Sequence, residues 1–204
     1  MLIADGDFRY EIRHGGELIA VETESLAWGM VRGSRRPASG SNLYEVEADL
    51  DDAGLVRRVA VNYNRGPFTR NAAYESIDSF LRGYISAGGS RNDLTTKLGR
   101  YGEVDADLVI FRALTIAHIR ERGQRRWTGR IAAIDPNTLV AVTSKQSCRQ
   151  RGSDPHLWIY EPRMGDSEDI EIDDSGIVLR RRDSRGVETV LVSKASREAE
   201  EPNP

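Results

Sequence analysis

Between His156 and Lys194 hydrophobic and polar side chains alternate in period two, broken by short turns. The pattern predicts strands over His156–Tyr160, Asp169–Asp173, Ile177–Arg182 and Val187–Val192. Ile170 and Ile172 fall on one face of the second strand, Glu171 and Asp173 on the other. The turns Asp173-Asp174-Ser175-Gly176 and Asp183-Ser184-Arg185-Gly186 each end in a glycine that tolerates positive φ. Such an antiparallel meander needs something to cover its apolar face.

Toward the N-terminus the same grammar recurs. Phe8–Arg13 alternates apolar and charged, His14-Gly15-Gly16 turns, and Leu18–Val21 returns. Leu26–Arg32, containing Trp28, reads as a strand; Gly33–Asn42 has the composition of a loop. Leu43–Leu50 and Leu55–Tyr63 flank Asp51-Asp52-Ala53-Gly54 as a hairpin, with a bulge at Arg57-Arg58. Phe68–Ser76 and Ser79–Ser86 read as strands, with a helix as the alternative, and Ala87–Asn92 as a loop. Val104–Arg122 is too densely apolar for clean alternation: a helix stopped by Gly123 and two kinked buried strands fit it equally. Arg130–Ile134 and Leu139–Gln146 flank Asp135-Pro136-Asn137-Thr138 as a further hairpin.

Ten or eleven short strands at hairpin spacing, without parallel crossovers, predict a mainly β fold. The expected form is a single antiparallel, strongly curved sheet making a barrel or half-barrel, with at most one or two helices. Accumulated twist curls so long a sheet, and curling hides edges that invite aggregation. The expected domain spans residues 1–195, followed by an acidic, proline-containing tail over 196–204 expected to be disordered.

Composition narrows the class. In 204 residues, 39% hydrophobic and 30% charged content fits one globular domain with a real core. A net charge of −3 gives the whole molecule no pull toward nucleic acid or an anionic membrane. The lone Cys148 excludes an internal disulfide, and no run approaches the roughly 18 apolar residues of a spanning helix. Met1-Leu2-Ile3-Ala4-Asp5 lacks the basic and apolar regions of a secretion leader, so a cytoplasmic protein is expected.

Chemistry is sparsely marked. Tyr63, Arg70, Tyr74 and Tyr84 recur among other aromatics and arginines over Tyr63–Tyr84. They read either as a cavity wall or as arginines outside and aromatics in the core. His118 lies in the most apolar stretch and is an acid/base candidate or a satisfied core histidine. Neighbouring cations would favour a Cys148 thiolate, although a lone cysteine is usually incidental. Glu103, Asp105 and Asp107 alternate and default to solvated surface. No histidine pair at ligand spacing, dinucleotide fingerprint or P-loop is present, so no metal and no cofactor is expected.

The run Gly102-Glu103-Val104-Asp105-Ala106-Asp107-Leu108, leading to Ala113-Leu114-Thr115-Ile116-Ala117-His118-Ile119-Arg120, resembles the lipoprotein-carrier-like half-barrels, including proteins described as glycolipid-binding. Asp174-Ser175-Gly176-Ile177-Val178, near the end of the sheet, supports the likeness. The resemblance implies a curved sheet with an apolar concave face and carries no site residues with it. The first functional reading is a binder of a hydrophobic or amphipathic small molecule within the curved sheet. Its walls are Trp28, Tyr63, Tyr74, Tyr84, Phe111, Trp127 and Trp158, with Arg70, Arg112 and Arg120 as polar anchors. The second is a cofactor-independent cyclase, isomerase or hydrolase using His118, Tyr84 and Arg112. The third is a protein-interaction module working through strand edges, leaving a homodimer open. Neither nucleic acid nor membrane insertion is expected.

Overall fold

The computed structural model describes residues 3–100, 102–162 and 166–196. Eight strands come first: β1 (Gly6–His14), β2 (Glu17–Ala27), β3 (Met30–Pro37), β4 (Leu43–Leu50), β5 (Val56–Arg65), β6 (Phe68–Ile77), β7 (Phe80–Ala87) and β8 (Ser90–Lys97). A short strand β9 (Val104–Asp105) leads into a helix, α1 (Val109–Glu121). Then follow β10 (Arg126–Ile134), β11 (Ala141–Gln150), β12 (Leu157–Pro162), β13 (Glu168–Ile172), β14 (Val178–Asp183) and β15 (Val187–Ser196).

All fifteen strands belong to one sheet that is not closed. From one edge it runs β8 back to β1, then β15 back to β9. Every neighbouring pair is antiparallel except β9 and β10, a parallel pair joined through α1. The expected hairpin-by-hairpin meander is present, with more strands than expected. Leu26–Arg32 is not one strand: it breaks at Trp28-Gly29, where both residues have positive φ. Gly33 to Pro37, loop-like in composition, is held as strand because β2 and β4 pair with it on both sides. Ala87–Asn92, expected as a loop, turns only at Gly88-Gly89: Ala87 ends β7, and β8 from Ser90 to Lys97 pairs with β7 along its whole length. The bulge does fall at Arg57: Asp49 opposes Arg58 and Leu50 opposes Val56, leaving Arg57 between them. Of the expected tail, residues 197–204 lie outside the described residues, while Ser196 belongs to β15.

Val104–Arg122 resolves into β9 and α1. Its apolar density has a simple cause: Val109 to Ile119 are all buried, so the helix has no polar face to display. The N-cap residue, Leu108, has no capping side chain. The sheet supplies the caps instead: Glu22 Oε1 accepts the Val109 N–H (2.7 Å) and Glu24 Oε1 the Ile110 N–H (2.9 Å). At the other end Gly123, at φ +66, donates to Arg120 O and Gln124 donates to Ile119 O, a Schellman stop. The sheet's inner face fits the helix closely. A Cβ on Gly33 would lie 2.4 Å from Leu108 Cδ1, so β3 approaches α1 through a position without a side chain.

Hydroxyl groups fasten the sheet to what it covers. Tyr44 donates to Ala106 O (2.8 Å) and Tyr74 to Leu139 O (2.7 Å). Thr96 of β8 donates to Ala141 O of β11 (2.6 Å), and Thr143 of β11 donates to Lys97 O. These two strands are far apart in sheet order yet touch without a ladder.

Candidate functional site

The N-terminal end of α1 sits in a buried charge network. Tyr10, Glu22, Arg35 and Tyr44 form one cross-strand row on β1 to β4. Arg35 Nε donates to Glu22 Oε2 (2.7 Å), its Nη1 to Asp107 Oδ2 (2.8 Å) and its Nη2 to Asp107 O. Arg112, on the first turns of α1, pairs with Asp105 and with Glu168 Oε2 (3.1 Å) and lies 4.5 Å from the Tyr160 ring centre. Arg122 Nη1 pairs with Glu103 Oε1 (3.2 Å). The three alternating carboxylates are therefore not solvated surface: each answers an arginine, and Glu103 and Asp105 are buried.

Two pKa directions follow from this geometry. Burial and the adjacent Glu22 carboxylate push Glu24 well above the usual carboxylate range, outweighing the Ile110 N–H and Arg35. Burial raises Asp107 too, but Arg35, Arg112 and Arg181 outweigh it and hold the group low. Cys148 lies at the edge of this network. Burial drives its thiol up to about 12 despite Arg112, so the low-pKa thiolate that neighbouring cations suggested is not formed.

The C-terminal half of α1 builds a different site. Leu114, His118 and Glu121 share one helix face, turned to the β4–β5 hairpin tip. His118 Nε2 lies 2.9 Å from Ala53 O; a carbonyl can only accept, so in the neutral ring Nδ1 is the unprotonated nitrogen. His118 Nδ1 and Glu103 Oε2, both buried and without a partner among the described residues, border one gap of about 10 Å³. A gap of that size admits a single water and no substrate.

On the solvent side of the same hairpin lies a cleft of about 340 Å³. Its apolar wall is Ile3, Leu26, Leu50 and Leu114; Asp51, Asp52 and Glu121 are acidic groups on its lining. Trp28 stands at its edge, 80% exposed. The Trp28 N–H is held by Asp5 Oδ2 (3.2 Å), and Trp28-Gly29 form the two-residue turn with φ of +50 and +75. Such a turn favours Asn-Gly; a bulky aromatic at its first position is strained.

The expected site residues are dispersed. Arg112 and His118 occupy different faces of α1, and Tyr84 lies on the outer face of β7 beneath Arg91 (3.9 Å to the ring centre). These three are not brought together. Phe111, Trp127, Trp158 and Tyr74 are buried in the core, and Trp158 Nε1 donates to Pro155 O (2.9 Å). Tyr63 is half-buried beside Tyr44, Arg120 is half-buried in the last helical turn, and exposed Arg70 donates to Asn137 O (2.6 Å). Of the expected wall, only Trp28 lines this cleft. Glu22 and Glu24 belong to no motif, and the one signal of their burial is alternation, which sets both in phase with buried Ala20 and Leu26.

Two larger depressions, about 670 and 560 Å³, lie on the outer face of β15 and β1 to β7. Small residues such as Ala60, Ala73 and Gly83 floor them, and salt bridges such as Arg32–Glu47 and Arg58–Asp49 rim them. No cluster of three or more His, Cys, Asp or Glu able to hold a metal occurs among the described residues. No described helix is long and apolar enough to cross a membrane.

No protein-family model matches the chain, and no curated protein matches it. Among solved structures, the crystal structure of a DUF1089 family protein from Pseudomonas aeruginosa is similar in fold. The TM-score is 0.56 at 15% identity, over 80% of this chain and 89% of that one.

Proposed function

We propose that the protein binds an amphipathic small molecule in the Trp28 cleft, its apolar part against Leu26, Leu50 and Leu114 and its head near Asp51, Asp52 and Glu121. We read the sheet as a half-barrel wrapped around α1, a reading supported by the Thr96–Ala141 and Thr143–Lys97 ties between distant strands. α1 fills the space against the inner face, so the ligand site moves from inside the sheet to the end of the helix. A volume of about 340 Å³ falls at the lower end of small-molecule sites, on the order of 300–1,000 Å³.

The observation that carries the reading is Trp28. It takes a left-handed conformation that disfavours bulky residues and exposes a large apolar ring, two costs with no return in the fold. A ligand pressed between the ring and the leucines supplies that return. The acidic lining favours a cationic or neutral head over an anionic one.

Trp127 and Trp158 are 5% and 2% exposed, so a change in tryptophan emission on ligand addition reports Trp28. Decyltrimethylammonium below its micelle concentration is expected to shift that emission to the blue and to saturate, and decyl sulfate to do so more weakly. Trp28→Asn is expected to abolish protection by the amphiphile against thermal unfolding. It also relaxes the turn, leaving the ligand-free protein as stable or more so, by up to about 1 kcal/mol. An unchanged spectrum, or equal protection of the variant, overturns the proposal.

A further inference from the structure

The β10–β11 hairpin concentrates positive charge in an acidic chain. Residues 123–153 hold six cations, Arg125, Arg126, Arg130, Lys145, Arg149 and Arg151, against one carboxylate, Asp135. The pairing register sets Arg126 directly opposite Arg149 and Arg130 directly opposite Lys145, with Thr128 opposite Ser147 between them. The alternate positions Trp127, Gln146 and Cys148 are buried, so both cation pairs and both hydroxyls share the outer face. Like charges directly opposite one another destabilise an antiparallel ladder. This ladder carries two such pairs, in a strand pair without a register shift. Arg126, Arg130 and Lys145 form no ion pair with a described residue. Two carboxylates stand beside the face: Glu161 of β12 accepts the Ser147 hydroxyl (2.7 Å) and lies 3.9 Å from Arg149, and Asp169 of β13 lies 3.5 Å from Arg151.

We propose that this outer face of β10 and β11 docks onto the anionic surface of a lipid bilayer. The two cation rows are four residues apart, about 13 Å at the rise of a strand, and the partners within each row are about 5 Å apart. Four cations so placed meet several lipid phosphates of one plane at once, and those phosphates relieve a repulsion that Glu161 offsets at Arg149 alone. Nucleic acid fits less well. The one aromatic of this strand pair, Trp127, points inward, so no base can stack on the face. β12 pairs with the other side of β11, so the hairpin is not a free ribbon able to enter a groove. The net charge of −3 does not oppose docking, because at physiological salt a charge acts over about 8 Å and the patch is felt locally.

The test is cosedimentation of the full chain with vesicles of phosphatidylcholine alone and of phosphatidylcholine mixed with phosphatidylserine. Binding is expected only to the mixed vesicles and should weaken as salt rises. At about 1 kcal/mol for each cation near the membrane, the Arg126→Ser, Lys145→Ser double variant should partition roughly 25-fold more weakly. It should unfold at the same or higher denaturant, since one member of each like-charge pair is gone. Trp28→Asn should partition like the parent, which separates this surface from the cleft. Equal partition onto both vesicle types overturns the proposal, as does a double variant that binds like the parent. Absence of vesicle binding with salt-sensitive retention of a DNA duplex also overturns it, and transfers the patch to nucleic acid.

Discussion

Glu24 sits where ionisation is costly: burial and the neighbouring Glu22 favour its protonated form. Its folded-state pKa is raised, so between the ordinary carboxylate range and that raised value the folded chain holds more protons than the unfolded one. Stability therefore falls as pH rises through this window. Urea unfolding at successive pH values should show that decline, and Glu24→Gln should remove it, because an amide oxygen can still accept the Ile110 N–H. Glu24→Ala loses the cap and should cost about 1–3 kcal/mol at the acid end of this window, the cost shrinking as pH rises because only the parent must ionise a buried carboxyl. A pH slope unchanged in Glu24→Gln would place the titration elsewhere. At this scale the sequence was legible by phase: Glu22 and Glu24 alternate with residues that point inward, so their burial could be read. What they face could not, because the Val109 and Ile110 amides lie more than eighty positions away along the chain.

Helix α1 is held at one end by charge. Arg112 sits between Asp105 and Glu168 with its guanidinium over Tyr160, all poorly accessible to solvent. Arg112→Ala leaves Asp105 buried without its cation and Glu168 with only Arg181, 3.8 Å away, and should destabilise the fold by about 3–5 kcal/mol. Arg112→Lys should recover only part of this, since an ammonium lacks the planar fork that meets two carboxylates. Denaturant midpoints of the two variants check it; a loss below about 1 kcal/mol for Arg112→Ala would mean that water reaches the pair. The helix itself was half legible. Its dense apolar run pointed to burial, but period does not separate a helix buried on every side from buried strands. The cover supplied by the sheet settles it as helix. β3 and β8 show the converse, since strands of loop-like composition exist there because neighbours pair with them.

For the whole molecule, Cys148 reports cooperativity. It is fully buried and its thiol is raised to about 12, so no thiolate is presented to solvent at neutral pH. Reaction with a thiol reagent should be slow in the native protein and immediate in urea. Its rate should follow global unfolding across denaturant concentrations. Fast labelling without denaturant would mean that the β10 to β12 region opens independently of the rest.

By itself the sequence determined the class: alternation, turn chemistry and hairpin spacing specify a mostly antiparallel meander because each depends only on residues a few positions apart. It also determined that Trp28 and the cations of residues 125–151 are present in the chain. Tertiary structure decided that Trp28 is exposed at a cleft while Trp127 and Trp158 are core. It also paired Arg126 with Arg149 and Arg130 with Lys145 on one outer face. It seated α1 against the inner face of the sheet and scattered the expected catalytic trio. These outcomes rest on contacts between distant segments, and a pattern of period two says which face a residue takes but not what it meets there.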